Sequence, residues 1–219
     1  MDRRLLLPAA LLATALLSLL AWRGCAWPPV RNLGARDGPI VILGDSLAAG
    51  VGSKGGQRGF VTRLSEKLGV EIVNRGVSGN TTQDGLERLE TDVLALQPAL
   101  VILELGGNDF LRRVDPDQTF ANLETMIRRS QEEGAAVLVL GVRGGLLGGS
   151  RGDRFRELAR RHQAAYVSDI LDGVFARPAL MADSIHPNDA GHQKIAERLE
   201  PVMRRLLREM GPTSPPPAR

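Results

Sequence analysis

The sequence predicts an α/β fold, a three-layer α/β/α sandwich around a five-stranded parallel sheet. Two observations lead there. Short apolar runs alternate five times with amphipathic stretches of helical spacing. The runs are continuously apolar rather than alternating, as in strands whose two faces are both covered by helices. A third observation places the function. The first three runs end in loops of small residues, and in parallel sheets with right-handed crossovers ligands bind at those carboxyl ends.

Residues 39–43 are the first strand, and 47–59 a loop rich in glycine. Residues 60–68 have helical spacing and stop at Gly69. A second strand is expected over 70–73, a turn-rich loop over 76–80 and an amphipathic helix over 81–96. The third strand, 99–105, ends in Gly106-Gly107-Asn108-Asp109. A helix over 117–133 places Phe120, Leu123 and Ile127 on one face and stops at Gly134. The fourth strand is 135–140, followed by a second glycine-rich loop at 143–152. A helix over 153–162, a short strand over 164–167 and a closing helix over 188–210 complete the domain. The expected organisation is a signal peptide or membrane anchor at 1–26, a linker at 27–38, the catalytic domain at 39–210 and a Pro-rich disordered tail at 211–219.

A chain of 219 residues is enough for one domain with a full core. Its 43% hydrophobic content includes only 4% aromatics, so aliphatic side chains build that core. The formal charge of +3 comes from basic residues interspersed with acids, which speaks against a nucleic-acid surface. Cys25 is the only cysteine, which excludes an internal disulfide and a cysteine-based zinc site. Arg3 and Arg4 precede an apolar stretch over 5–22, with small residues around 24–26. This pattern fits a cleaved signal peptide, an uncleaved anchor or, less well, lipidation at Cys25. All three place the domain outside the cytoplasm.

The chemistry centres on Ser46, delivered to the sheet rim by Ile40-Val41-Ile42-Leu43-Gly44-Asp45. A serine hydroxyl is a weak nucleophile until a base takes its proton. Of the three histidines, His162 sits among charged residues and is expected at the surface, and His192 is expected as a helix-side residue. His186 precedes Pro187, which favours an extended backbone at a loop-to-helix junction. Asp183, three residues earlier, is placed to accept the imidazole proton and fix its tautomer. Acyl transfer also needs donors for an oxyanion. The N–H groups of Ser46 and Gly79 and the side-chain amide of Asn108 are the candidates.

Gly-Asp-Ser-Leu at 44–47, Gly79 with Asn80, Gly-Gly-Asn-Asp at 106–109 and Asp-Ser-Ile-His-Pro-Asn at 183–188 together resemble the GDSL, or SGNH, serine hydrolases. The motifs follow the family's order between about 39 and 207. The stretches 74–82 and 103–109 are most similar to the bacterial arylesterase, thioesterase I and lysophospholipase L1 subgroup. The resemblance implies a flavodoxin-like fold and a carboxylic ester hydrolase without metal or cofactor. It implies Ser46 as nucleophile, His186 as base, Asp183 as its orienter, and Ser46, Gly79 and Asn108 as the oxyanion hole. Asp45 is then expected to brace the serine loop and Glu104 to be structural. The expected substrates are small acyl or aryl esters, thioesters or lysophospholipids. Leu146, Leu147 and the apolar residues of 177–181 are expected to line the acyl pocket. A periplasmic or otherwise extracytoplasmic monomer is expected, with any membrane contact through the N-terminal segment. The alternatives are a carbohydrate O-acetyl esterase of the same fold and a binding module that has lost catalysis.

Overall fold

The computed structural model describes residues 29–142 and 151–211. Five strands form one parallel sheet: β1 (Ile40–Gly44), β2 (Ile72–Gly76), β3 (Leu100–Glu104), β4 (Ala136–Leu140) and β5 (Ala165–Val167), in the order β2-β1-β3-β4-β5. Side chains alternate across a strand, so each strand feeds two cores. Ile40, Ile42, Leu100, Ile102 and Leu138 face one layer. That layer is built by α2 (Phe60–Leu68) and α7 (Asp189–Met210). Val41, Leu43, Val101, Leu103 and Val137 face the other, built by α3 (Thr82–Asp92), α5 (Pro116–Glu132) and α6 (Arg151–Arg161).

Local sequence sets the helix starts. Thr81 and Asp84 form a reciprocal capping box at α3, Asp115 with Pro116 opens α5, and the Asn188 side chain accepts the Ala190 and Gly191 N–H groups at α7. Two further helices lie inside segments expected to be loops: α1 (Ser46–Ala49) and α4 (Gly107–Leu111). At four and five residues they are too short to show a helical period in sequence. Helix α3 ends at Asp92, and a 3-10 turn over Leu94–Leu96 completes the segment expected as one helix.

The segment expected as a linker is docked on the domain over its described part, 29–38. Val30 and Leu33 pack against the core, Asn32 Nδ2 donates to the Gln131 carbonyl at 2.7 Å, and Arg36 donates to the Glu133 carbonyl at 2.7 Å. Residues 1–28 and 212–219, with Cys25 and the tail, lie outside the described residues. Among the described residues no helix is long and apolar enough to cross a membrane.

His162 departs from the surface position expected of it, and His192 stands on the closing helix as expected but on its buried face. His162 is largely enclosed, its Nε2 2.8 Å from Glu124 Oε1. His192 is wholly buried beneath the site: its Nδ1 accepts the Phe60 N–H at 3.2 Å and its Nε2 donates to the Val51 carbonyl at 2.9 Å. It thereby ties both ends of the glycine-rich loop to α7. This pattern needs a neutral ring, and burial moves its pKa down from 6.5.

Two outcomes follow. Leu103 is fully buried in the central strand, so Leu103→Ala is expected to lower unfolding free energy by about 2–5 kcal/mol in urea denaturation. A histidine with a depressed folded pKa stabilises fully above its unfolded value and loses that contribution as pH falls. Stability is therefore expected to decline as pH drops below 6.5. His192→Gln should flatten that decline by up to about one proton in denaturation curves taken across pH.

Candidate active site

Strand β1 ends at Gly44, in register with Gly76 of β2 and Glu104 of β3. The chain then turns sharply into α1, with Asp45 as its cap: Asp45 Oδ1 accepts the Leu47 N–H at 3.0 Å. The turn is held from below by Glu104, whose Oε2 accepts the Asp45 and Ala48 N–H groups at 3.3 and 3.2 Å. Ser46 is thus the first residue of a helix, where backbone N–H groups lack intrahelical acceptors. Its side chain is almost buried, and its Oγ lies 3.1 Å from His186 Nε2.

His186 comes from the loop before α7, 140 residues away in sequence. Its Nδ1 is 2.8 Å from Asp183 Oδ2, while Asp183 Oδ1 accepts the Ile185 and His186 N–H groups at 2.8 and 2.7 Å. These bonds, the one from the imidazole foremost, hold the Asp183 carboxyl down at about 2. An ionised Asp183 keeps the ring proton on Nδ1 and leaves Nε2 as an acceptor facing the Ser46 hydroxyl.

The loop is fixed in place by backbone packing. Gly52, at φ +89, lies so close that a Cβ there would sit 2.2 Å from the Pro187 carbonyl oxygen and 3.2 Å from His186 Cβ. Only a residue without a side chain fits this approach and this φ. Sequence reading marked 47–59 as glycine-rich without showing that Gly52 seats the histidine.

Of the remaining candidates, Asn108 lines the same pocket as Ser46 and His186, and Gly79 is not among that lining. Helix α4 carries Asn108, whose Nδ2 donates to the Asn80 carbonyl at 2.9 Å and to Asp45 Oδ2 at 3.2 Å. Arg112, one turn further on, donates to the Gly79 carbonyl at 2.8 Å. Helix α4 and the residue that caps its end thus hold the Gly79–Asn80 loop through two bonds, and Arg112 is a contributor that sequence reading missed. Its spacing of four from Asn108 is the available signal, visible only once 107–111 is known to be helical.

Ser46, Asn108 and His186 form the polar floor of the pocket, and Leu47, Phe110, Leu111, Val142, Leu171, Phe175 and Ile185 supply apolar walls. Leu111 and Ile185 are exposed at its rim. The residues at 177–181 are not among the lining. Pro178 and Met181 face a separate surface groove beside Asp183, because the 3-10 turn at Pro178–Leu180 carries them outward. Leu171 and Phe175, just before them, take the place expected for that segment. Leu146 and Leu147 lie outside the described residues. Among the described residues no group of three His, Cys, Asp or Glu side chains is arranged to hold a metal ion.

Known proteins resemble this chain in sequence and fold. The family model described as "GDSL-like Lipase/Acylhydrolase family" matches residues 42–194. Esterase TesA of Pseudomonas aeruginosa is 36% identical over 182 residues, covering 77% of this chain and 89% of the relative. Thioesterase 1/protease 1/lysophospholipase L1 of Escherichia coli K12 is 31% identical over 179 residues, covering 77% of this chain and 84% of the relative. The crystal structure of TesA superposes with a TM-score of 0.72 at 33% identity, over 77% of this chain and 99% of that one. With the serine turn, the histidine loop and the asparagine helix all within the matched region, the chain belongs to the GDSL-like lipase/acylhydrolase family and is an ester hydrolase of the SGNH type.

Proposed function

We propose that this enzyme hydrolyses small carboxylic esters with an apolar acyl or aryl group, through an acyl-enzyme on Ser46. The observation that carries the reading is the continuous relay from Ser46 Oγ to His186 Nε2 at 3.1 Å and from His186 Nδ1 to Asp183 at 2.8 Å, beside an apolar pocket. Thioesters and lysophospholipids are the further substrate classes, by analogy with the relatives' names.

In this reading the acyl group enters between Phe110, Val142, Leu171 and Phe175, and its carbonyl carbon comes to rest over Ser46 Oγ. His186 Nε2 takes the hydroxyl proton as Oγ attacks. The imidazolium that forms is stabilised by the Asp183 carboxylate. The tetrahedral oxyanion meets the N–H groups of Ser46 and Gly79 and the Asn108 amide. His186 then gives its proton to the leaving alcohol or thiol. Water then attacks the acyl carbon as it gives a proton to the same nitrogen, and that proton passes to Ser46 Oγ as the acyl–Oγ bond breaks and the acid leaves. The exposed apolar rim at Leu111 and Ile185 suits substrates with a hydrocarbon part. The basic and apolar N-terminal residues 1–26 support export of the enzyme from the cytoplasm. Mass spectrometry of the mature N-terminus reads whether that segment is cleaved, retained or lipidated.

Ser46→Ala is expected to lower kcat on a short aryl ester by about three decades or more, with KM little changed. Retention of most activity would end the reading. A fluorophosphonate probe should label wild-type Ser46 and leave Ser46→Ala unlabelled. A panel of aryl esters, acyl thioesters, lysophospholipids and acetylated sugars separates the substrate classes, and preference for acetylated sugars would favour the O-acetyl esterase alternative. Gly52→Ala forces the His186–Pro187 backbone aside. It is expected to cost about 100-fold in kcat. Circular dichroism should show the fold retained, and unchanged kcat in a folded variant would show that Gly52 does not seat the histidine.

A further inference from the structure

Glu104 ends the central strand and its side chain is completely buried under the serine turn. Its Oε2 is satisfied by two backbone N–H groups, but its Oε1 has no partner among the described residues. The buried carboxyl group of Asp45 stands beside it, on the residue whose own N–H Glu104 Oε2 accepts at 3.3 Å. Two carboxyl groups so placed attract only if a proton lies between them. A carboxylate at Glu104 would leave charge on an oxygen that nothing solvates. The charged groups facing the pair are Asp109 from α4, His186 from the loop before α7, and Arg88 from α3, whose guanidinium donates to the Gly44 carbonyl at 2.9 Å. Asp109 is itself committed to the Thr82 N–H and to the Thr82 and Thr119 hydroxyls.

We propose that Asp45 and Glu104 carry a single proton between them, and that this proton keeps Asn108 available to the oxyanion, which makes Glu104 a positioning residue for catalysis. The inference rests on the reading of Asn108 as an oxyanion donor. Both hydrogens of the Asn108 amide are occupied in the resting site, by the Asn80 carbonyl and by Asp45 Oδ2. The Asp45 bond, at 3.2 Å, is the longer and is the one to be lent. While the pair holds its proton, one negative charge is spread over two carboxyl groups and the grip on Asn108 is moderate. When Glu104 ionises, two charges sit beneath Ser46. Asp45 then accepts from Asn108 as a full carboxylate, and a developing oxyanion is repelled. Burial supports the assignment, raising Asp45 to about 6 and Glu104 well above the ordinary carboxylate range.

The consequence is an alkaline limb in the pH profile of kcat/KM that belongs to Glu104. Glu104→Gln keeps the shape and has no proton to lose. It is expected to cost at most about tenfold at neutral pH and to abolish that limb. Infrared spectroscopy of the full-length protein gives a readout that does not need activity. At neutral pH the wild type should show the carbonyl stretch of a buried protonated carboxylic acid, and Glu104→Gln should lack it. If Glu104→Gln does not fold, the wild-type band should vanish on alkaline titration in step with the fall in kcat/KM. An active wild type without the band, a band that titrates out of step with activity, or an alkaline limb unchanged in a folded Glu104→Gln overturns the proposal alone. A wild type that turns over no ester while keeping the band overturns the catalytic reading instead.

Discussion

Glu104 reaches across the end of the sheet to hold the Asp45 and Ala48 N–H groups, and it does so because Gly44 opposite it has no side chain. A Cβ at Gly44 would sit 2.9 Å from Glu104 Oε2 and 2.5 Å from Ala48 Cβ. This contact fixes where the chain leaves β1 and turns into α1, and so where Ser46 stands. The rest of the site is arranged around that turn. Asp45, held there by its own N–H, caps α1 with one carboxylate oxygen and meets Asn108 with the other. Helix α1 then leads into the glycine-rich loop, where Gly52 lies against the His186–Pro187 backbone. The far side of that loop is tied to α7 through His192.

The electrostatics of the site pull in two directions. Asp183 is held down by the imidazole and two N–H groups, so its contribution to stability is full above 3.8 and is lost as pH falls toward about 2. Its carboxyl is half exposed, and solvent screening keeps that contribution small. Asp45 behaves oppositely. Burial raises it from 3.8 to about 6, so folding takes up a proton and stability declines as pH rises through that window. Well-packed apolar residues in place of the acid pair would remove that cost. The pair is explained by what it touches, since it connects the turn carrying Ser46 to the Asn108 amide. Local departures from the rules of a stable core are expected where function needs them.

The fold was legible because β1, β3 and β4 lie in near-continuous apolar runs and because Gly69, Gly134, Thr81 and Asn188 punctuate the helices, whereas β2, at the sheet edge, carries Asn74 and Arg75 and begins two residues later than its apolar run suggests. The meeting of Ser46, His186 and Asp183 was legible for a different reason: three strand-end loops of small residues converge on one rim, and Asp183 precedes His186 by three residues. What stayed hidden depends on close packing. Helices α1 and α4 are too short for periodicity, so Arg112 had no visible relation to Gly79. His192 reads as a helical residue, yet it stands on the buried face of α7. Glu104 sits in an apolar run, and its partners come from a turn 56 to 59 residues earlier. The pocket walls at Leu171 and Phe175 precede the segment expected for that role, since the turn at Pro178–Leu180 redirects the chain. The described part of the expected linker is fixed by bonds to carbonyls at the end of α5 and just beyond, which its Pro-, Gly- and Arg-rich composition does not reveal.

The central claim is that catalysis passes through an ester on Ser46. It is tested most directly by acid-quenching the enzyme during turnover of a slowly released acyl substrate and mapping the modified peptide by mass spectrometry. The account predicts one acyl group per chain, located on Ser46, and its disappearance once substrate is exhausted. An acyl group on a different residue, with Ser46 unmodified throughout turnover, would contradict it.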